Sequence, residues 1–296
     1  MSSEYRFVRE LGVGGMSQVL LVEPEPGADP VAVKRLLPQL AGHPAYIEQL
    51  LAEGRRMQQL AGVRGVADVL AVVEPEDRSD SHLVMELVRG HSLARFHERV
   101  MANQMSCSVE LALGLAMSLA ETLDAVHRAE GPGGQPMDLV HRDVCPANLL
   151  IEGDDRLVLI DFGVASGNWP PLPPPKPDQG RVAYMAPEQA KGFEVDGRAD
   201  LFSLGVILFE LLAGSRLYGT GDRLVVLAKI MDGDEHRIRE RAPECPADVA
   251  DVIDRALALD REDRHFDAGE LLMELSACAK RHGRAGLSAA SVAPEN

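Results

Sequence analysis

The sequence predicts an α+β fold, with a small β-rich unit followed by a larger, mainly helical one. Short apolar runs separated by Gly, Pro and charged turn residues fill much of the first 88 residues, which is typical of β-strands. After Gly90 the apolar residues recur at intervals of three and four, the spacing of helices that bury one face or more. The sequence contains no internal repeat, so one β-rich and one helical unit account for it.

Five strands and one helix are expected in the first unit. The expected strands occupy residues 5–11, 19–22, 31–34, 69–73 and 83–87. The helix is expected near residues 45–60, where Ile47, Leu50 and Met57 are apolar at helical spacing and charged residues lie between them. These elements place the first unit at residues 1–88.

Helices are expected to dominate the second unit, which we place at residues 89–281. Its strongest element is residues 109–128, where leucines at 111, 115, 119 and 123 repeat every four residues. Residues 169–177 are rich in proline, which favours an extended segment over a helix. The small and polar residues 282–296 are expected to form a disordered tail.

Composition limits the classes of protein that this chain can represent. With 30 basic and 46 acidic residues the net charge is −16, so the basic stripe that nucleic-acid binding needs is not expected. The four cysteines lack the C-x-x-C spacing of zinc sites. The most apolar run, residues 201–213, is too short to span a bilayer, and an apolar signal-peptide core is not found. We therefore expect a cytoplasmic protein without membrane insertion.

One stretch of the sequence has the residue types that phosphoryl transfer requires. Asp143 and Asn148 lie five positions apart, and Asp161 follows a strand-like run. One carboxylate of such a set can position a hydroxyl nucleophile, while an amide and a second carboxylate bind Mg²⁺ ions. The spacing therefore indicates a site for phosphate chemistry.

A glycine-rich turn and a lysine lie upstream of that stretch. Residues 11–19 contain three glycines, which allow close approach of the backbone to phosphates, although hairpin turns also use glycine. Lys34 ends an apolar strand, where its ammonium group can bind phosphates or simply reach solvent. Glu53 is the preferred acidic partner of Lys34, because it shares a helix face with Leu50, and Glu48 is the competitor.

These segments occur in the order of the protein kinase signature motifs. The matching residues are Gly12-Val13-Gly14, Val31-Ala32-Val33-Lys34, Glu53, His141-Arg142-Asp143, Asn148, Asp161-Phe162-Gly163, Ala186-Pro187-Glu188, Asp200 and Arg264. On these motifs the chain resembles a bacterial eukaryotic-like (Hanks-type) serine/threonine protein kinase catalytic domain over about residues 5–278. The resemblance implies a bilobal protein-kinase fold, with a small β-rich N-lobe and a larger, mainly helical C-lobe.

The resemblance also implies roles for individual residues. Asp143 would orient the substrate hydroxyl and accept its proton, and Asn148 and Asp161 would bind Mg²⁺ or, in its place, Mn²⁺. Lys34, paired with Glu53, would hold the phosphates of ATP. The residues implied to contact ATP are Leu11, Gly12, Gly14, Gly15, Val19, Ala32, Lys34, Met85, Glu86, Val88 and Leu150.

Two further implied features support the site from a distance. Glu188 would form a buried ion pair with Arg264. Asp200 would anchor the catalytic loop, residues 141–148, from the helix beneath it.

The sequence departs from the kinase pattern at two related positions. Where the family usually has a lysine, two residues after the catalytic aspartate, this chain has Cys145. Where the family usually has a threonine, after the glycine at position 180, this chain has Arg181. The guanidinium of Arg181 can supply the positive charge that the missing lysine would provide, and the alternative is a solvent-exposed Arg181.

We therefore expect a kinase that transfers the γ-phosphate of ATP to Ser or Thr hydroxyls of a protein substrate in bacterial signalling. A nucleotide-binding scaffold with little catalysis is the alternative, and Cys145 and Arg181 are its support. A small-molecule kinase is disfavoured by residues 186–188, which the resemblance assigns to a protein-substrate platform. A separate sensor or scaffold protein is an expected partner.

Overall fold

A computed structural model describes residues 6–24, 27–78, 80–103, 106–153, 156–162, 181–219, 221–233 and 237–286. The described chain forms two units. Residues 6–62 and 66–88 belong to the first, and residues 63–65 join the remainder of the described chain in the second. Gly163, the proline-rich residues 169–177 and residues 287–296 lie outside the described ranges.

An antiparallel sheet and one helix make up the first unit. The five strands follow the order β1-β2-β3-β5-β4, and every neighbouring pair is antiparallel. The elements are β1 (Arg6–Val13), β2 (Ser17–Glu23), β3 (Val31–Leu36), α1 (Pro44–Gln59), β4 (Val69–Val73) and β5 (His82–Met85). Each overlaps the element that the apolar pattern predicts.

The two faces of the sheet have different partners. Side chains alternate along a strand, and directly paired residues point to the same side. Val33 and Val84 are paired and belong to one buried apolar cluster. Lys34 and Leu83 are the next pair, so they lie on the opposite face. The helix α1 packs on this second face.

Helices dominate the second unit, as the sequence predicts. A small antiparallel sheet of order β6-β7-β8 accompanies them. Its strands are β6 (Gly90–Ser92), β7 (Leu149–Glu152) and β8 (Arg156–Leu159). The helices are α2 (Leu93–Asn103), α3 (Val109–His127), α4 (Pro187–Ala190), α5 (Arg198–Ala213), α6 (Arg223–Asp232), α7 (Ile238–Arg241), α8 (Ala247–Ala256) and α9 (Ala268–His282).

The helix α5 is the centre of the second unit. Every residue from Ala199 to Leu212 is buried, because this helix is apolar on nearly all sides. It ends at Gly214, whose φ of +62° is a left-handed conformation that glycine adopts without steric cost. Among the described helices, none combines the length and apolarity needed to cross a bilayer.

The segment after α9 returns to α3. The helix ends at His282, and the amide of Ala285 donates a hydrogen bond of 3.0 Å to the carbonyl of Glu110. The described part of the expected tail, residues 282–286, therefore contacts α3 through this bond.

A buried ion pair links α4 to the turn before α9. Arg264 Nη1 and Nη2 each donate to a different carboxylate oxygen of Glu188 at 2.8 Å, and Arg264 Nε donates to Ala258 O at 2.8 Å. The guanidinium carbon lies 4.9 Å from the centre of the Phe202 ring. Because the Arg264 side chain is fully buried, its charge is satisfied by these fixed partners and not by water.

Arg264→Lys is expected to lower the free energy of unfolding by about 2–4 kcal/mol, measured by urea denaturation. A single ammonium group cannot reproduce the two-pronged contact with Glu188 and leaves backbone carbonyls without donors. The matched control is Arg237→Lys, since Arg237 is 66% exposed and lies 3.8 Å from Asp254. The control should change stability by less than about 0.5 kcal/mol. Equal stability of the two variants would contradict the prediction.

Candidate functional site

Lys34 and Glu53 form a buried ion pair in the first unit. Lys34 lies on β3 and Glu53 on α1, and Lys34 Nζ is 2.6 Å from Glu53 Oε1. The side chains are only 7% and 5% exposed, so the carboxylate fixes the position of the ammonium group. Glu48, the alternative partner considered from sequence, instead lies 3.0 Å from Arg78 Nη2.

Gly54, the next residue on α1, allows this helix to approach the sheet. A Cβ atom at position 54 would lie 2.3 Å from Leu83 Cδ2 and 2.8 Å from Val72 Cγ2, closer than carbon atoms pack. Leu83 is fully buried, which leaves it little room to move away. Gly54 is not predicted from sequence, because a glycine within a helical pattern indicates only weak helix propensity.

The other first-unit residues implied for ATP lie on the sheet and its turns. They are Leu11 and Gly12 on β1, Gly14 and Gly15 in the following turn, Val19 on β2, Ala32 on β3, Met85 at the end of β5, and Glu86 and Val88 after it. Val19 is paired directly with Lys34. A Cβ atom on Gly12 would have no atom within 4 Å, so packing does not require glycine there. The open space beside Gly12 leaves room for a ligand to approach the backbone there.

Asp200, at the start of α5, organises the catalytic loop in the second unit. Its fully buried carboxylate accepts hydrogen bonds from the backbone amides of His141 and Arg142, both 2.8 Å long. The carboxylate also lies 2.8 Å from His127 Nε2. Burial alone would raise the pKa of Asp200. The hydrogen bond from His127 and the interactions with His141, including its backbone amide, hold this pKa below its ordinary value. The loop is therefore tied to the most buried helix of the unit.

The loop backbone is held in an uncommon conformation. Arg142 has a φ of +64°, a left-handed value that costs energy for a residue with a side chain. Its amide is bound by Asp200, and its carbonyl accepts a 3.0 Å hydrogen bond from Gln189 Nε2. Gln189 Oε1 also accepts a 3.1 Å hydrogen bond from the amide of Ala186. The role of Gln189 was missed from sequence, although a Gln at the third position of a helix is a known capping signal.

His141 supports the loop from within. The amide of Asp143 donates to His141 Nδ1 at 3.2 Å, so the ring proton is on Nε2, which lies 3.2 Å from the carbonyl of Ile160. The ring packs edge-on against Phe162, with 4.5 Å between ring centres. Residues 141–143 and 160–162 are thereby joined.

Asp143 and Asn148 form the centre of the site. Asn148 Nδ2 donates to Asp143 O at 2.8 Å and to Asp143 Oδ2 at 2.9 Å. In the described part of the chain, the other carboxylate oxygen, Oδ1, has only a 4.0 Å contact from Cys145 Sγ. Oδ1 is thus the oxygen available to accept a proton. Burial raises the pKa of Asp143, and the charge of Arg181 acts against that rise.

Arg181 contacts all three polar residues of the site. Its Nη1 donates to Asp143 Oδ2 and lies 3.8 Å from Asp161 Oδ2, and its Nη2 lies 3.4 Å from Asn148 Oδ1. The Arg181 side chain is 28% exposed. Of the two alternatives left open by the sequence, the geometry therefore has the guanidinium beside Asp143 and not directed wholly into solvent.

Cys145 brings no charge to the site. Its side chain is buried, and burial raises the pKa of its thiol to about 12, so it is neutral near pH 7. A neutral buried thiol is a poor nucleophile and is slow to oxidise. The positive charge beside Asp143 comes from Arg181.

The oxygen atoms of Asn148 and Asp161 are suited to Mg²⁺. Magnesium prefers hard oxygen ligands, and in nucleotide sites it takes one or two from side chains and the rest from phosphates and water. An amide oxygen and a carboxylate fit that donor set. Leu150, implied for ATP, lies on β7 two residues after Asn148.

Comparison with known families and solved structures identifies the fold. A family model described as "protein kinase domain" matches residues 5–273. The crystal structure of the Mycobacterium tuberculosis PknI kinase domain aligns with a TM-score of 0.65 and 26% identity, covering 93% of this chain and 96% of that one. The kinase fold class expected from the sequence is confirmed by these two similarities.

Curated relatives from bacteria are similar over most of this chain. Tyrosine-protein kinase MasK of Myxococcus xanthus is 31% identical over 88% of this chain and 41% of its own length. PknA of Corynebacterium glutamicum, a serine/threonine-protein kinase by name, is 31% identical over 94% of this chain and 56% of its own length. The chain thus spans about half the length of these relatives.

Asp200→Asn is expected to lower the free energy of unfolding by about 2–4 kcal/mol at neutral pH, because an amide NH₂ would face the donors that now bind the carboxylate. Since the folded-state pKa is depressed, the stabilisation by Asp200 is present above about pH 3.9 and is lost as the pH falls through the lower folded-state value.

Wild type and Asp200→Asn are compared by urea unfolding at a series of pH values from neutral downward. Asp251→Asn, on the exposed side of α8, is the control and should be neutral within about 0.5 kcal/mol. A difference between wild type and Asp200→Asn that stays constant down to about pH 2 would contradict the ionised-carboxylate explanation.

Proposed function

The chain belongs to the protein kinase family, and from that premise we propose that it transfers the γ-phosphate of ATP to serine or threonine hydroxyls of a protein substrate. The observation that carries the proposal is the arrangement around Asp143. Oδ2 is held by Asn148 and Arg181, while Oδ1 has only a distant thiol beside it in the described part of the chain. A carboxylate held in this way can accept the proton of a hydroxyl group through one defined oxygen.

The residues of the first unit bind and position the nucleotide in this proposal. Lys34 binds phosphate oxygens, and Glu53 holds its ammonium group in place. Gly54 contributes by allowing α1 to lie close to the sheet. The glycines at 12, 14 and 15 allow phosphate oxygens to approach the backbone closely.

The residues of the second unit bind the metal and activate the hydroxyl. Asn148 Oδ1 and Asp161 are the proposed ligands of Mg²⁺, which neutralises charge on the phosphates when it is bound. Asp143 Oδ1 orients the acceptor hydroxyl and takes its proton. Arg181 supplies the cation that stabilises the transferred phosphate, a charge that Cys145 cannot provide.

The acceptor residue and the setting of the reaction complete the proposal. Two kinds of name occur among the relatives, serine/threonine-protein kinase and tyrosine-protein kinase. We favour serine and threonine, because PknA and several further bacterial relatives of this chain are serine/threonine-protein kinases by name. We propose that the chain acts in the cytoplasm, alongside a separate sensor or scaffold protein.

Asp143→Asn is expected to reduce phosphate transfer by about 10²-fold or more, because the amide cannot accept the hydroxyl proton. The assay uses γ-labelled ATP, Mg²⁺ and a generic basic protein, followed by phosphoamino-acid analysis of the product. Phosphotyrosine alone would replace the serine/threonine assignment. Tight ATP binding by the wild type without any transfer would instead favour the scaffold alternative.

Arg181→Ala is expected to lower kcat by about 10²-fold while changing the KM for ATP by less than about threefold. The reason is that a charge acting on the transferred phosphate matters mainly in the transition state. Arg181→Lys should recover part of kcat, since it restores the charge but not the planar fork. An unchanged kcat in Arg181→Ala would remove Arg181 from the catalytic set.

A further inference from the structure

We propose that Arg181 is also the competitor of the divalent cation, so that the metal and the guanidinium exclude each other from the same oxygen atoms. This inference rests on the proposed function, since it concerns the metal site of the same reaction. The Arg181 cluster is defined here as the side chains of Arg181, Asp143, Asn148 and Asp161. Within it, one guanidinium contacts every residue proposed to bind metal or activate the hydroxyl.

The competition follows from which oxygen atoms the guanidinium faces. Arg181 Nη2 is 3.4 Å from Asn148 Oδ1, and Nη1 is 3.8 Å from Asp161 Oδ2. These are the two side-chain oxygens proposed to bind Mg²⁺. A divalent cation that takes them meets a positive charge within a few ångströms, and the two repel each other strongly in a partly buried site. Metal binding therefore drives the guanidinium away from Asn148 and Asp161.

The structure allows the side chain to move while its backbone stays in place. Val182, Ala183 and Tyr184, which follow Arg181 in a short 3₁₀ turn, are all buried. The carbonyl of Tyr184 accepts a 2.7 Å hydrogen bond from Ser203 Oγ, and its hydroxyl donates to Glu210 Oε2 at 3.0 Å. Arg181 itself is 28% exposed, so rotation about its own side-chain bonds is enough to change partner.

The guanidinium has a second anionic partner in the proposed reaction. Arginine binds phosphate through two parallel N–H groups, as it binds a carboxylate. Displacement by the metal thus makes Arg181 available to the γ-phosphate of the bound nucleotide. It also removes one of the two donors from Asp143 Oδ2, so that Asn148 Nδ2 alone holds that oxygen.

Linkage makes the coupling measurable in both directions. If Arg181 weakens metal binding by a given factor, the metal weakens the contact of Arg181 with the cluster by the same factor. Removal of the guanidinium should therefore strengthen metal binding, although it weakens catalysis. A residue with only a supporting role would weaken both when removed.

The test measures binding of Mn²⁺ alone, followed by the electron paramagnetic resonance signal of free Mn²⁺. Arg181→Ala is expected to bind Mn²⁺ about tenfold more tightly than wild type. Arg181→Lys, which keeps the charge, should stay within about threefold of wild type. Arg128→Ala is the matched control, because it removes a guanidinium that pairs with Asp124 at 2.8 Å outside the cluster, and it should not change Mn²⁺ affinity.

A second arm uses calorimetry with ADP and with a non-hydrolysable ATP analogue in Mg²⁺. Tighter binding by Arg181→Ala is expected with ADP, and a smaller gain is expected with the analogue, whose γ-phosphate also attracts the arginine of the wild type. If Arg181→Ala does not fold, both experiments are done with Arg181→Gln, which is neutral and has a side chain of similar length. Mn²⁺ affinity in the neutral variant that equals or falls below that of wild type would overturn the proposal.

The two proposals fail separately in these experiments. Loss of the proposed function is seen as an absence of phosphate transfer by wild type, whatever the Mn²⁺ affinities. Loss of the competition is seen as equal Mn²⁺ affinities in wild type and the neutral variant, whatever the rate of transfer.

Discussion

The second unit depends on one buried carboxylate, that of Asp200. An ionised group with no exposure to water is tolerated only where donors surround it, and here the donors are His127 and the amides of His141 and Arg142. Those donors are drawn from α3 and from the catalytic loop, so satisfying the charge also fixes the loop on α5. The left-handed φ of Arg142 persists because both of its backbone polar groups are bound.

The arrangement around Asp143 has a cationic side chain beside the carboxylate, although this chain has a cysteine where the kinase pattern has a lysine. Cys145 is buried and neutral, which removes the charge that the kinase pattern has there. The guanidinium of Arg181 instead lies beside Oδ2 of the carboxylate, while Cys145 lies beside Oδ1. A lysine and an arginine differ in reach and in the number of donors, so the guanidinium also contacts Asn148, which a compact ammonium group cannot do at the same time.

The sequence was sufficient for the fold class, and it named most residues of the candidate site, because periodicity and motif spacing are local properties. It predicted the helix that became α1, and the helix face that Glu53 shares with Leu50 favoured Glu53 over Glu48 as the partner of Lys34, the pair that the structure contains. Gly54 was missed, since its importance appears only when Leu83 and Val72 lie against it. The orientation of Arg181 was left open because contact with Asp143 joins residues far apart in the chain.

Both ends of the contact between Arg181 and Asp143 are held by the same helix. The backbone beside Asp143 is bound by Asp200, and the turn that contains Arg181 is bound through Tyr184 by Ser203 and Glu210. All three of these anchoring residues lie on α5, which is buried along almost its entire length. Separation of the two side chains therefore needs only torsions within Arg181, with no rearrangement of the loop backbone. In the proposed competition, the choice of Arg181 between its carboxylate partners and a phosphate therefore depends on the local charge, which a bound metal ion changes strongly.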